Sequence, residues 1–307
     1  MTPLRGIVLK LASVTVFVVM ASLIKATADH VPPGQAVFFR SFFAIPVILL
    51  WLALRGEFSG GVRVASPMGH VWRGLVGTLA MGFGFAGLGL LPLPEVTAIG
   101  YAAPLLTVIF AAMFLGEQVR AFRISAVALG LVGVLIVLSP RLSAAADPEA
   151  GAREALGAVV VLMGAVCAAL AQVFVRKLVT TERTSAIVFW FSVTASVLSL
   201  LTLPFGWVVP APAEAALLVL AGLCGGVGQI LLTSSYRHAD ASVIAPFEYA
   251  SMLLALGIGY LVFGEVPTAA MLAGAALVIL AGVLIIWRER QLGLERDRQR
   301  RAMTPQG

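Results

Sequence analysis

The sequence predicts an all-α polytopic membrane protein of ten transmembrane helices, built as two inverted five-helix repeats. Three observations predict it. The chain is 60% hydrophobic and only 12% charged, with a mean hydropathy of +1.00, whereas a soluble chain carries about 25% charge. Its apolar runs recur from end to end at the length a bilayer demands, about 20 residues each. Finally, basic residues alternate in density from one interval between runs to the next.

Ten segments meet the length criterion, approximately 6–26, 35–54, 72–91, 96–115, 122–139, 154–174, 184–203, 214–235, 241–262 and 269–287. Backbone groups in lipid must be satisfied internally, so runs this long are helices. The first run is interrupted by Lys10 and lacks a small-x-small cleavage site, which makes it a spanning helix rather than a signal peptide. Between segments three and four stands LPLPE, residues 91–95, and its two prolines predict a tight turn. Were this turn a mere kink, the count would fall by one and the charge alternation would be scrambled. With the N-terminus in the cytoplasm, 16 of the 21 Lys and Arg residues fall on the cytoplasmic side, six of them between Arg288 and Arg301. The outer loops hold only Arg141 and Arg153. That asymmetry predicts cytoplasmic N- and C-termini.

The domain boundaries follow: a first five-helix repeat over 1–140, an outer linker over 141–153, a second repeat over 154–287 and a charged cytoplasmic tail over 288–307. Tyr101 and Glu117 in the first half correspond to Tyr249 and Glu265 in the second, each pair 148 residues apart. An odd number of helices per repeat inverts the second copy, and inverted repeats are characteristic of secondary transporters. Glu117 and Glu265 stand at helix ends, where capping or a cross-loop pairing is expected.

Several function classes find no support in the residues. Phosphate-loop and H-E-x-x-H motifs are absent, the three histidines are far apart, and Cys167 and Cys224 each lie inside an apolar run. The sequence therefore predicts no enzyme, no catalytic residues, no metal and no cofactor. The net charge of +6 is placed in loops and tail, where lipid headgroups account for it without nucleic acid. No loop exceeds about 20 residues, which leaves no soluble output domain for a sensor. The glycine-rich stretches at 77–89 and 221–229 suit close helix crossings, or close approach of a ligand.

Polar side chains within the spans are the candidate functional residues, because lipid makes them expensive. Lys25 and Arg40, with Asp29 as a nearby partner, either snorkel outward or form an electropositive vestibule. Glu248, about 10 Å into the ninth helix, either couples to a proton and orients substrate or belongs to a structural network. Gln172, Gln229, Tyr236 and Tyr249 add hydrogen-bonding capacity in the second half, as Thr97 and Tyr101 do in the first. Trp190 is deep enough to stack on a planar substrate, whereas Trp51, Trp72, Trp207 and Trp287 sit where interfacial anchors belong. Pro104 and Pro246 break the fourth and ninth helices near their centres, as gates, binding elements or packing kinks.

The stretches 91–117 and 239–265, above all Pro104 to Glu117 and the APFEY segment around Glu248, resemble those of the EamA-like branch of the drug/metabolite transporter superfamily. The resemblance covers essentially all ten helices, and it implies carriage of small metabolites across the bacterial cytoplasmic membrane. The opening of the second helix, PPGQAVFFRSFF, is also similar to that of riboflavin transporters, which brings Gln35, Phe38, Phe39 and Arg40 near the implied substrate path. The resulting expectation is secondary transport by alternating access, with riboflavin uptake as the leading specific substrate and export of amino acids, nucleosides or related metabolites as the alternative. Arg40, Tyr101, Trp190, Gln229, Glu248 and Tyr249 are expected to bind or gate, and Lys25, Gln35 and Phe39 to line a vestibule. The expected partners are a small planar solute, membrane lipids and a coupling proton.

Overall fold

A computed structural model describes residues 3–115, 121–144, 150–178, 181–238 and 245–303. Among these, ten apolar rods are laid side by side. Seven are helices of at least 20 residues, and three shorter ones cover Ile124–Pro140, Ser185–Leu200 and Phe247–Phe263. We number the helices α1 (Pro3–Lys25), α2 (Pro33–Phe42), α3 (Ala44–Leu54), α4 (Phe58–Gly61), α5 (Pro67–Leu90), α6 (Leu93–Gly100), α7 (Ala102–Leu115), α8 (Ala121–Ala144), α9 (Ala150–Leu178), α10 (Thr184–Leu200), α11 (Pro212–His238), α12 (Ala250–Phe263) and α13 (Ala269–Met303). The second span is α2 and α3 together, and the fourth is α6 and α7. The ninth begins as a 3₁₀ turn, Ala245–Tyr249, that runs into α12. Large apolar side chains such as Leu54, Leu253 and Leu261 project from the bundle with most of their surface open, as a lipid-facing exterior requires.

Proline sets the breaks. Each proline removes an N–H and collides with the carbonyl four residues earlier; Pro46 and Pro104 accordingly stand three residues after the junctions at Phe43 and Tyr101. Pro246 lies within the 3₁₀ turn itself. Tyr101 and Tyr249, the repeat-related pair, thus both stand where the helix of a span is interrupted. The LPLPE turn is tight as expected, with α5 ending at Leu90 and α6 beginning at Leu93.

Helix packing shows the inverted repeat. The most extensive contacts join α1 to α11, α5 to α9 and α8 to α13, which are spans one with eight, three with six, and five with ten. Exchanging the two halves turns the first pairing into the second and returns the third to itself. The α8–α13 crossing is antiparallel, with Gly130 against Ala281 and Gly133 against Val278. There the backbones meet so closely that a Cβ on Gly133 or Gly274 would press on the other's carbonyl oxygen. Small residues at a crossing are how helices gain dispersion energy in lipid.

α8 and α9 extend into the expected outer linker, leaving 145–149 of it outside the described residues, and α13 continues without interruption into the charged tail. Glu117 and the side chain of Tyr236 also lie outside them.

Candidate functional site

Two cations of α1, Lys10 and Lys25, stand fifteen residues or about 22 Å apart along the helix, and each pairs with an acid of the ninth span or just beyond it. Lys10, almost wholly buried, pairs with Glu248, whose side chain is half-exposed. Lys25 Nζ lies 2.9 Å from Glu265 Oε1, and both side chains are largely buried. Glu248 opens the ninth span and Glu265 follows its end, so α1 is fastened to that span near both ends.

The Lys25 fastening also closes the turn between α5 and α6. Lys25 Nζ donates to the carbonyls of Leu88 (3.0 Å) and Leu91 (2.8 Å), while Glu265 Oε2 accepts from the Leu93 N–H at 2.8 Å. A cation thus meets the carbonyl end of one helix and a carboxylate the N–H end of the next, the arrangement that helix dipoles favour. The Lys25 partner is therefore Glu265 rather than Asp29. Lys25 still lines an open cavity of about 640 Å³ with Arg153, Glu154 and Glu265.

Glu248 leads to the pair of tyrosines. Its backbone carbonyl accepts from Ser251 Oγ at 2.7 Å, and Ser251 Oγ in turn lies 2.5 Å from the Tyr101 hydroxyl. The Tyr101 and Tyr249 rings meet edge-to-face with centroids 5.1 Å apart, within the range where such contacts attract. Tyr101, Glu248 and Tyr249 are thus brought together at the junction of the two repeats. Lys10, which the sequence marks only as an interruption, joins them. Gln229 stands beside this group: the carbonyl of its neighbour Gly228 accepts from Ser13 Oγ, three residues along α1 from Lys10. The Gln229 side chain is half-buried and finds no hydrogen-bond partner among the described residues.

Arg40 belongs to a second group. It is buried, lies against Gly225, and its guanidinium carbon is 5.8 Å from the centre of the Phe191 ring. Arg73 of α5 reaches the same ring at 4.0 Å. Gly225 and Gln229 are one turn apart on α11 and share a face, which places the two groups on neighbouring parts of one interior.

Trp190, Gln35 and Phe39 lie elsewhere. Trp190 Nε1 donates to the carbonyl of Val62 at 2.8 Å, fixing α10 to the linker before α5. The amide of Gln35 is engaged on both sides by Val208, donating to its carbonyl at 2.9 Å and accepting its N–H at 3.1 Å. Phe39 belongs to a cluster with Phe38, Phe42, Phe43 and Trp207. Gln172 is exposed, and Thr97 is satisfied by the Leu93 carbonyl.

A further buried group, like Lys10, was not singled out in the sequence. Glu182 accepts from the N–H groups of Ala65 (2.7 Å) and Ser66 (2.6 Å) at the start of α5, and His70 Nε2 stands 3.4 Å from it. A lone acid within an otherwise basic interval was the available signal. Among the described residues no cluster of His, Cys, Asp or Glu could hold a metal ion.

Comparison with known proteins places this geometry in context. The model of the EamA-like transporter family matches residues 4–139 and again 155–287. The pseudopaline exporter CntI of Pseudomonas aeruginosa strain PAO1 is 31% identical, over 91% of this chain and 95% of its own. The S-adenosylmethionine uptake transporter of Rickettsia prowazekii is 26% identical over 94% of this chain and 95% of its own, and the riboflavin transporter of Rhizobium johnstonii 30% over 84% and 82%. Two family matches, one to each half of the described bundle, leave one assignment: the chain belongs to the EamA-like transporter family, as a multi-pass protein of the bacterial inner membrane that carries a small metabolite by secondary transport.

Proposed function

We propose that the chain exports its metabolite by alternating access, with α1 and the ninth span as the pair whose fastenings exchange. The observation that carries this proposal is the position of the Lys10–Glu248 and Lys25–Glu265 pairs, near opposite ends of the same two spans. Opening one end releases one pair, and the other holds the far end shut. The likeness to CntI over nearly the whole of both chains supports export rather than riboflavin uptake. Arg40, Tyr101, Gln229, Glu248 and Tyr249 form the solute path, with Glu248 either coupling to protons or orienting the solute through its exchange with Lys10. Trp190, anchored on Val62, lies outside that path.

Counterflow into proteoliposomes tests the proposal, with labelled pseudopaline, S-adenosylmethionine and riboflavin compared side by side and a proton gradient on or off. Saturable exchange of pseudopaline or a related amino-acid derivative, abolished by Glu248→Gln, is the expected result. Riboflavin exchange alone would restore uptake of the vitamin, which the aromatic cluster of Phe38, Phe39, Phe42, Phe43 and Trp207 favours. Gradient-insensitive exchange would remove the proton from the mechanism.

A further inference from the structure

Among the described residues, Arg40 and Arg73 are two interior cations that meet no anion. Among the described residues neither makes an ion pair or a hydrogen bond. Arg40 Nε, Arg73 Nε and Arg73 Nη1 are all buried without a partner. The Phe191 ring lies near both guanidiniums, at 5.8 and 4.0 Å, so the two charged carbons are less than about 10 Å apart. An arginine does not shed its proton to escape burial, and an aromatic face offsets only part of the desolvation of a buried ion. Two like charges therefore sit close together in the interior with their forked donors unused. Glycine makes the arrangement possible, since a Cβ on Gly77 would overlap Arg73 Nη1 and one on Gly225 would press on Arg40 Nε. Ser41 Oγ, next to Arg40 in sequence, is a further buried polar atom without a partner.

We infer that Arg40 and Arg73 form the subsite for a carboxylate of the transported solute, held between α2, α5 and α10. A guanidinium fork matches a carboxylate in two parallel hydrogen bonds, and two such forks suit a solute bearing two carboxylates. Phe191 supplies an apolar wall for the carbon skeleton between them. The inference rests on the transporter reading, because it gives the solute of that transporter its chemical class.

The test is equilibrium binding to the full chain in nanodiscs of neutral lipid, which removes anionic headgroups as a source of the anion. Glutarate, glutaramide and inorganic phosphate are compared at equal ionic strength, by titration calorimetry and by the thermal midpoint. Glutarate is expected to bind saturably, at least tenfold more tightly than the other two, and to raise the midpoint. Arg40→Gln and Arg73→Gln are each expected to weaken glutarate at least tenfold without lowering the midpoint of the unliganded protein, since each removes an uncompensated buried charge. Arg40→Lys keeps the charge but loses the fork, and falls between the two.

Absence of glutarate binding overturns the proposal, as does binding that survives both glutamine substitutions. Equal binding of phosphate would overturn the carboxylate assignment. A sharp fall in the unliganded midpoint of both variants would make the arginines structural. Loss of the subsite with pseudopaline counterflow intact would leave the transporter standing. Arginine-dependent glutarate binding without counterflow of any of the three solutes would leave the subsite standing and remove the solute assignment.

Discussion

At the scale of single residues, some polar positions within the spans were legible, others such as Lys10, Arg73 and Glu182 were not, and their partners were not. Lipid makes interior charges costly, so Lys25, Arg40 and Glu248 stand out in the sequence. Whether one is paired depends on which spans touch, and no local pattern encodes that. Lys25 illustrates the gap, because Asp29 is four residues away and the ion pair is made to Glu265 instead. Burial also sets the consequence of breaking a pair. Lys10 is far more deeply buried than Glu248, so Glu248→Gln, which takes this counter-ion from a buried ammonium, should destabilise more than Lys10→Met, which takes the ammonium from a half-exposed carboxylate. Breaking a fully buried pair costs about 3–5 kcal/mol; with one partner half-solvated we expect ~1–3 kcal/mol for Glu248→Gln. Thermal unfolding in detergent ranks the two variants, and the reverse order would place the dominant burial on the acid. A second residue-scale outcome concerns Tyr249, whose hydroxyl occupies the space a Cβ on Gly282 would need. Gly282→Ala should cost about 1–3 kcal/mol through overpacking, and Tyr249→Phe should recover part of it by removing the oxygen. A double variant no better than Gly282→Ala alone would show that the clash is with the ring.

Whole elements were more legible than residues, because length and punctuation determine them. The tight turn at LPLPE is present, and the breaks beside Pro104 and Pro246 are real, although the break in the fourth span falls at Tyr101, ahead of the proline that causes it. The interruption between α2 and α3 was missed, yet it follows the same chemistry from Pro46. What the sequence withheld at this scale is how elements are tied to one another. The α5–α6 turn is held by Lys25 from α1 and by Glu265 from beyond α12, so its closure belongs to the junction between the two repeats rather than to the turn. Removing the Glu265 charge should free that end of the bundle. In a background with Cys167 and Cys224 changed to Ser, Ala28→Cys reports on it, because Ala28 lines a cavity of about 230 Å³ there together with Ile24, Phe85 and Gly89. Glu265→Gln is expected to raise the maleimide labelling rate at that position several-fold. An unchanged rate would mean that the pair does not hold this end closed.

At the scale of the whole molecule, the inverted repeat joins sequence, packing and orientation in one argument. The 148-residue offset identifies Tyr101 with Tyr249, and the packing brings those two residues into ring contact across the junction of the repeats. The same symmetry pairs α8 with α13 at a glycine crossing whose closest approach, Gly133 on Gly274, lies eight residues along α13 from the Gly282 that meets Tyr249. Gly133→Val should therefore lower the thermal midpoint, by overpacking of about 1–3 kcal/mol, while leaving the KM for the exchanged solute unchanged. Orientation is a property that packing does not determine, since a bundle fits a bilayer either way up. Charge is expected to decide it: the end holding Arg55, Arg63 and Arg183 should stay in the cytoplasm, because lysines and arginines in short loops resist translocation. In intact spheroplasts of a cysteine-free background, a membrane-impermeant maleimide should label Asp29→Cys readily and Arg63→Cys only after lysis. The opposite pattern would invert the molecule, placing the Lys10–Glu248 pair at the periplasmic end. It would also exchange which fastening must open before a solute from the cytoplasm can reach Arg40 and Arg73.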